Sequence, residues 1–306
     1  MTKNRGVPDY VRISTYLFIE EHEKSVGKTR GVVFNKFMTL LNRDLMEEKS
    51  VNIRLPHCWY RWGDEVVRYY LRPYTKWDHE DLGITTVAWR DGVPEDLSLS
   101  DPTVAEIRDY IRGYIEEYSD EDGWERAIDR LYEKAPYEFQ NRYRMLRENL
   151  KGAVAGNYIQ GYSEKLLTPL FNNAMGMFPS EFSSIKKEKN DFESVFKAAV
   201  ETGARMEDIR GMAEEFWFLF CYHLRIDKRG HENVKKETLD VWRASIPWEK
   251  ELYNRCLQDR AFSLKLGGTS RAIDTILSVR DARIKEFYEL LDEFRAADRN
   301  QNCEMP

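Results

Sequence analysis

The stretch Lys28-Thr29-Arg30-Gly31-Val32-Val33-Phe34-Asn35-Lys36-Phe37-Met38-Thr39-Leu40-Leu41-Asn42-Arg43-Asp44-Leu45 constrains the fold more than any other part of the sequence. Val33, Phe37, Leu40, Leu41 and Leu45 recur at helical spacing, so one side must pack, while Lys36, Asn42 and Arg43 lie off that stripe and are expected in water. Thr29 is placed to cap this helix. Shortly after it comes Trp59-Tyr60-Arg61-Trp62. Four consecutive bulky residues cannot all point inward, so at least one ring and Arg61 are expected at the surface. Arginine beside aromatic rings is the composition of binding hot spots.

Other elements follow from periodicity and punctuation. A first helix is expected from about Val11, after Pro8-Asp9, closing before Gly27. Val51 to Leu55 alternates like a short strand that Pro56 ends, and a third helix is expected from Asp64 to Leu71, stopped by Pro73. Ile84 to Trp89 is β-branched, and Arg90-Asp91-Gly92 is a turn signal that would tip a small hairpin. Helix, helix, helix and ribbon is the order of a winged helix. Asp91 to Pro102 is rich in Pro, Asp, Ser and Gly and is the best linker candidate.

Beyond it the chain reads as helical: Asp101 to about Tyr118, Gly123 to just before Pro136, Tyr137 to Leu150, Phe192–Gly203, Met206–Arg225, Asn233–Ala244, Trp248–Leu266 and Ser270 through Phe294. The expected fold class is therefore mainly α, with a small winged-helix-like domain and short β-hairpin at 1–95 and a larger all-helical domain at 101–298. Glycines and prolines in 152–180 mark a possible boundary within the second.

The 306 residues fit one large domain or two of ordinary size, and 42% hydrophobic residues suffice for a substantial core. A net charge of −6 argues against a chain coated for non-specific nucleic-acid binding. The distribution is uneven: residues 1–75 carry a net +4, residues 76–150 a net −9 and the remainder −1. The basic part suits nucleic acid, and the acidic part a basic protein. No apolar h-region opens the chain and the longest apolar run is Phe216 to Tyr222, so the expectation is a soluble, cytoplasmic protein without membrane contact. That run, apolar on every side, is expected to be buried inside other helices.

Signals for catalysis or cofactors are weak. Cys58, Cys221, Cys256 and Cys303 form no C-x-x-C pair, which suits a reduced setting, and His22, His57, His79, His223 and His231 include no H-E-x-x-H spacing. No metal and no cofactor is expected. Gly27-Lys28-Thr29 echoes the end of a phosphate loop, but His22 occupies the position of its first glycine. Gly267-Gly268-Thr269-Ser270 is read as a helix cap.

Arg30 to Leu41, followed by the aromatic and glycine turn Trp59-Tyr60-Arg61-Trp62-Gly63, resembles the Panacea domain over about residues 10–95. That family is associated with antitoxins and related regulators. The resemblance implies a partner-binding, toxin-neutralising or phage-conflict role without catalysis, with Lys36, Trp59, Trp62 and Gly63 at matching positions. The leading expectation is a non-enzymatic cytoplasmic regulator that binds another macromolecule, most readily a protein, through the basic and aromatic N-terminal surface or the acidic segment from 76 to 150. Its candidate contact residues are Arg30, Lys36, Arg43, Trp59, Tyr60, Arg61 and Trp62. A DNA-binding transcriptional regulator is the alternative, with the Thr29–Leu45 helix or the one after Gly63 in the major groove. An enzyme of unrecognised type is a further alternative, requiring Asn157, Tyr158, Gln160 and Tyr162 to converge with acids in a pocket.

Overall fold

The computed structural model describes residues 9–79, 84–90, 92–94, 97–98, 101–118, 123–156, 162–280 and 282. The fold is mostly helical with small β-sheets, and it divides into two compact units. Unit 1 comprises Met1–Pro136 together with Cys221–Ala244, and unit 2 comprises Tyr137–Phe220 and Ser245–Pro306. The division thus follows Pro136 rather than the linker-like segment near residue 95.

In unit 1, α1 (Tyr10–Ser25) begins at Asp9, whose carboxylate accepts a hydrogen bond from the Arg12 N–H. Thr29, the expected cap of the next helix, instead belongs to the two-residue strand β1 (Thr29–Arg30), and its hydroxyl meets His22 Nδ1 at 3.2 Å. The helix α2 (Gly31–Lys49) starts immediately afterwards with Arg30 at its N-cap. Gly31 is required there by close approach: a Cβ would lie 2.8 Å from the Trp77 ring. The apolar stripe of α2 packs as expected at Phe37, Leu40, Leu41 and Leu45, which are buried, while Val33 is half-buried; Phe34 and Met38 are buried beside it.

The expected strand at Val51–Leu55 is irregular backbone, and pairing begins one residue after Pro56 with β2 (His57–Tyr60). The segment read as a third helix is an extended strand, β3 (Gly63–Val66), followed by a 3-10 turn at Arg68–Tyr70. The two strands form an antiparallel hairpin with Tyr60 opposite Gly63, so Arg61 and Trp62 are its two-residue tip. The strands β4 (Thr75–His79) and β5 (Thr85–Trp89) pair next, in the sheet order β1-β5-β4. Because β4 precedes β5, Arg90 and Gly92 follow the pair instead of tipping it; Asp91 lies outside the described residues.

Asp101 caps α3 (Pro102–Glu117) through a hydrogen bond from the Thr103 N–H, and α4 (Gly123–Tyr132) completes the first stretch of unit 1. Phe18, Phe34, Phe37, Tyr114 and Tyr118 form its aromatic centre.

Unit 2 contains α5 (Glu138–Val154), α6 (Tyr162–Gly176) and α7 (Lys186–Glu201). The glycine-rich 152–180 region is therefore largely helical, with Pro169 inside α6. The chain returns to unit 1 within α8 (Met206–Leu224) and leaves it again within α9 (Lys236–Ser263). Two helices expected on either side of Pro247 are one, α9, with that proline inside it. A further helix, α10, occupies residues 271–280. As expected, Phe216, Trp217, Leu219 and Phe220 are buried, and in unit 2 Phe216 stacks on Phe192 at 4.5 Å. Among the described residues no helix is long and apolar enough to cross a membrane.

Candidate functional site: an aromatic and guanidinium face of unit 1

The hairpin β2–β3 decides where the expected contact residues go. Alternate residues of a strand face opposite sides, so His57 and Trp59 take one side while Cys58 and Tyr60 take the other. Chain tips carry no such alternation, and Trp62 stands 58% exposed. Two grooves meet at this ring. One, of about 360 Å³, is lined by Arg30, Val32, Asn35, Lys36, Trp62, Glu65, Arg68, Ile84 and Thr85. The other, of about 390 Å³, includes Tyr60, Arg61, Trp62, Glu65, Arg68, Arg225 and Trp242.

Guanidinium groups and rings are interleaved across this face. Arg61 lies over the Tyr60 and Tyr222 rings at 5.4 and 5.3 Å and donates a hydrogen bond to the Tyr222 hydroxyl. Arg225 lies over Tyr60, Tyr222 and Trp242 at 5.0, 4.7 and 5.0 Å, and Arg68 over Trp77 at 4.6 Å. Stacking of this kind holds a guanidinium in place while its edge stays able to meet an anion. Burial raises the Tyr60 hydroxyl above its ordinary pKa, and a bond with Tyr222 adds to the effect, so that phenol stays neutral. Glu65 is the acid that lines both grooves.

The sequence candidates divide unevenly. Arg30, Tyr60, Arg61 and Trp62 come together on this face, with Arg30 exposed and Tyr60 and Arg61 half-buried. Lys36 lines the same groove but is only 1% exposed, its ammonium donating to the Asp64 carbonyl at 2.9 Å. The expectation of a solvated Lys36 fails because β3 and α4 also pack against α2 and leave Lys36 enclosed. Burial holds its pKa below the usual lysine range against the pull of Glu65 and Asp64. Asn42 is likewise buried, its carboxamide oxygen accepting from the Leu55 N–H at 3.3 Å. Trp59, 6% exposed, is packed edge-on against Tyr132, and Arg43 donates to the Arg130 carbonyl at 3.0 Å. Both line a separate cleft of unit 1.

Arg68, Arg225 and Trp242 were not among the candidates. The last two lie more than 150 residues beyond Trp62 in the chain, and no local pattern ties them to it. Of the residues that an enzymatic pocket would need, Asn157, Tyr158 and Gln160 lie outside the described residues, and Tyr162 begins α6. Among the described residues no group of three or more His, Cys, Asp or Glu is placed to hold a metal ion. Compared with family models, curated proteins and solved structures, the chain matches none.

Proposed function

We propose that this chain is a non-enzymatic regulator that binds a protein partner through the aromatic and guanidinium face of unit 1. The observation that carries the reading is Trp62, held out at a hairpin tip between two grooves that contain Arg30, Arg61, Arg68 and Arg225. An exposed tryptophan costs solubility unless something covers it, and tryptophan and arginine are the residues that most often dominate interface energies. The excess of arginine over the single acid Glu65 fits a partner segment that carries acidic residues around an apolar anchor. The Panacea resemblance agrees with this reading and extends it to an antitoxin-like or phage-conflict role.

A protein partner suits the face better than duplex DNA. The helix α2 is buried on most of its surface, and the segment after Gly63 is a strand, so neither offers a helix to a major groove.

The test is affinity purification of the tagged full chain and of its Trp62→Ala variant from the native host, followed by binding measurements with the recovered partner. Wild type should retain a stoichiometric protein, and Trp62→Ala should bind it at least about 30-fold more weakly with an unchanged melting curve. Equal binding by the variant would sink the proposal. Recovery of nucleic acid, lost steeply as salt rises, would replace it with the nucleic-acid reading.

A further inference from the structure

The opposite side of the β2–β3 hairpin borders a cleft of about 470 Å³, within the range of small-molecule sites. His57 reaches it from β2. Its Nδ1 meets Asp64 Oδ1 at 2.8 Å, a diagonal pair across the hairpin, because Asp64 lies opposite Trp59 in the register. Its Nε2 is buried and makes no hydrogen bond; it faces Glu232 Oε2 at 3.5 Å. Glu232 comes from β6 (His231–Glu232), which pairs with β2, and its side chain is 67% exposed.

The two carboxylates are not equivalent. Asp64 is buried and correctly spaced, so it already supplies His57 with a counter-charge. Glu232 is largely in water and its 3.5 Å approach to Nε2 is long for a hydrogen bond, so it is the weaker and more readily displaced of the two partners. The walls add Arg43, Lys134 and Arg229 to the imidazolium, against Glu47, Asp64 and Glu232. Lys134 is 57% exposed and its pairing with Glu47 is equally superficial at 3.3 Å. Met46, Trp59, Leu131 and Pro136 give the same cleft apolar walls.

We propose that this cleft binds a small organic oxyanion, a carboxylate or phosphate on an apolar body, which displaces Glu232 and takes the Nε2 hydrogen bond of His57. Asp64 orients the ring, Lys134 and Arg229 receive the remaining charge, and the apolar walls hold the body. No covalent step is involved. This site faces away from the partner-binding face and stands whether or not that face binds a protein.

Competition between ligand and Glu232 makes the proposal testable on the folded full chain. Inorganic phosphate and benzoate are titrated separately by calorimetry and by nitrogen-15 spectra of the histidine rings. Expected are a shift of the His57 Nε2 signal on titration and binding about tenfold tighter in Glu232→Gln, which removes the competing charge. Binding should be several-fold weaker in Lys134→Ala. Tighter binding of phosphate than of benzoate would assign a phosphate ester, and the reverse an apolar carboxylate. If neither probe moves the His57 signal, or if Glu232→Gln gains nothing, the cluster is a structural ion pair and the proposal is overturned.

Discussion

His57 owes its charge to its neighbours. Burial alone would push an imidazole toward neutrality, but the Asp64 charge and hydrogen bond, with Glu232 behind them, raise its pKa from near 6.5 to about 10. A folded-state value above the unfolded one means the stabilisation is complete below about pH 6.5 and disappears as pH rises through 10. Between those limits wild type should lose about 1.4 kcal/mol per pH unit relative to His57→Gln, compared by urea melts at successive pH values. Lys36 acts with the opposite sign, since burial lowers its pKa, but it is common to both proteins and cancels in the comparison. Asp44 is a second buried acid, met by the Tyr114 hydroxyl at 2.5 Å and Arg130 at 2.8 Å. A hydrogen bond to a buried carboxylate is stronger than a neutral one, so Tyr114→Phe should cost about 2 kcal/mol in the same melts. None of these pairings is visible in the sequence, where His57 and Asp64 are merely seven apart and Asp44 and Tyr114 seventy.

At the scale of elements, most helices were legible, and of the short strands only β5, whose β-branched run announced it, was legible. A helix repeats its pattern over several turns, and α2 and α3 announce themselves by stripe or cap. A four-residue strand has no room to repeat. Gly63-Asp64-Glu65-Val66 reads as a helix start because acids favour the first turn, but pairing with β2 overrides that preference. Pro247 misled in the other direction, being accommodated inside α9 where a break was expected. An interior proline forfeits a backbone hydrogen bond, so Pro247→Ala should stabilise the chain by about 1–3 kcal/mol, read from its denaturation midpoint. Gly230 matters for a different reason. Its carbonyl accepts from the Trp59 N–H at 2.7 Å, and a Cβ there would sit 1.8 Å from the Leu224 carbonyl oxygen. Gly230→Ala should therefore dislodge β6 from β2, detectable as loss of slow amide exchange at Trp59.

For the whole molecule, the decisive fact is that unit 1 is discontinuous. Residues 221–244 supply β6, Tyr222, Arg225 and Trp242 to a unit otherwise built from the first 136 residues. A chain ending at Pro136 lacks the edge strand of one sheet and several of the ring and guanidinium partners of Arg61 and Tyr60. It should lose the sharp, cooperative thermal transition of the full protein, as followed by circular dichroism. The sequence by itself determined that most of the chain is helical, that α2 buries an apolar stripe, that Phe216, Trp217, Leu219 and Phe220 pack inside, and that Trp59 to Trp62 leaves a ring in water. Those outcomes rest on periodicity and on local crowding, which short stretches of sequence carry. Tertiary structure alone decided which ring that is, that Lys36 is enclosed, and that Glu232 faces His57. Such outcomes depend on which distant segments pair, and the cost of closing so long a loop is repaid only by contacts that no local pattern encodes.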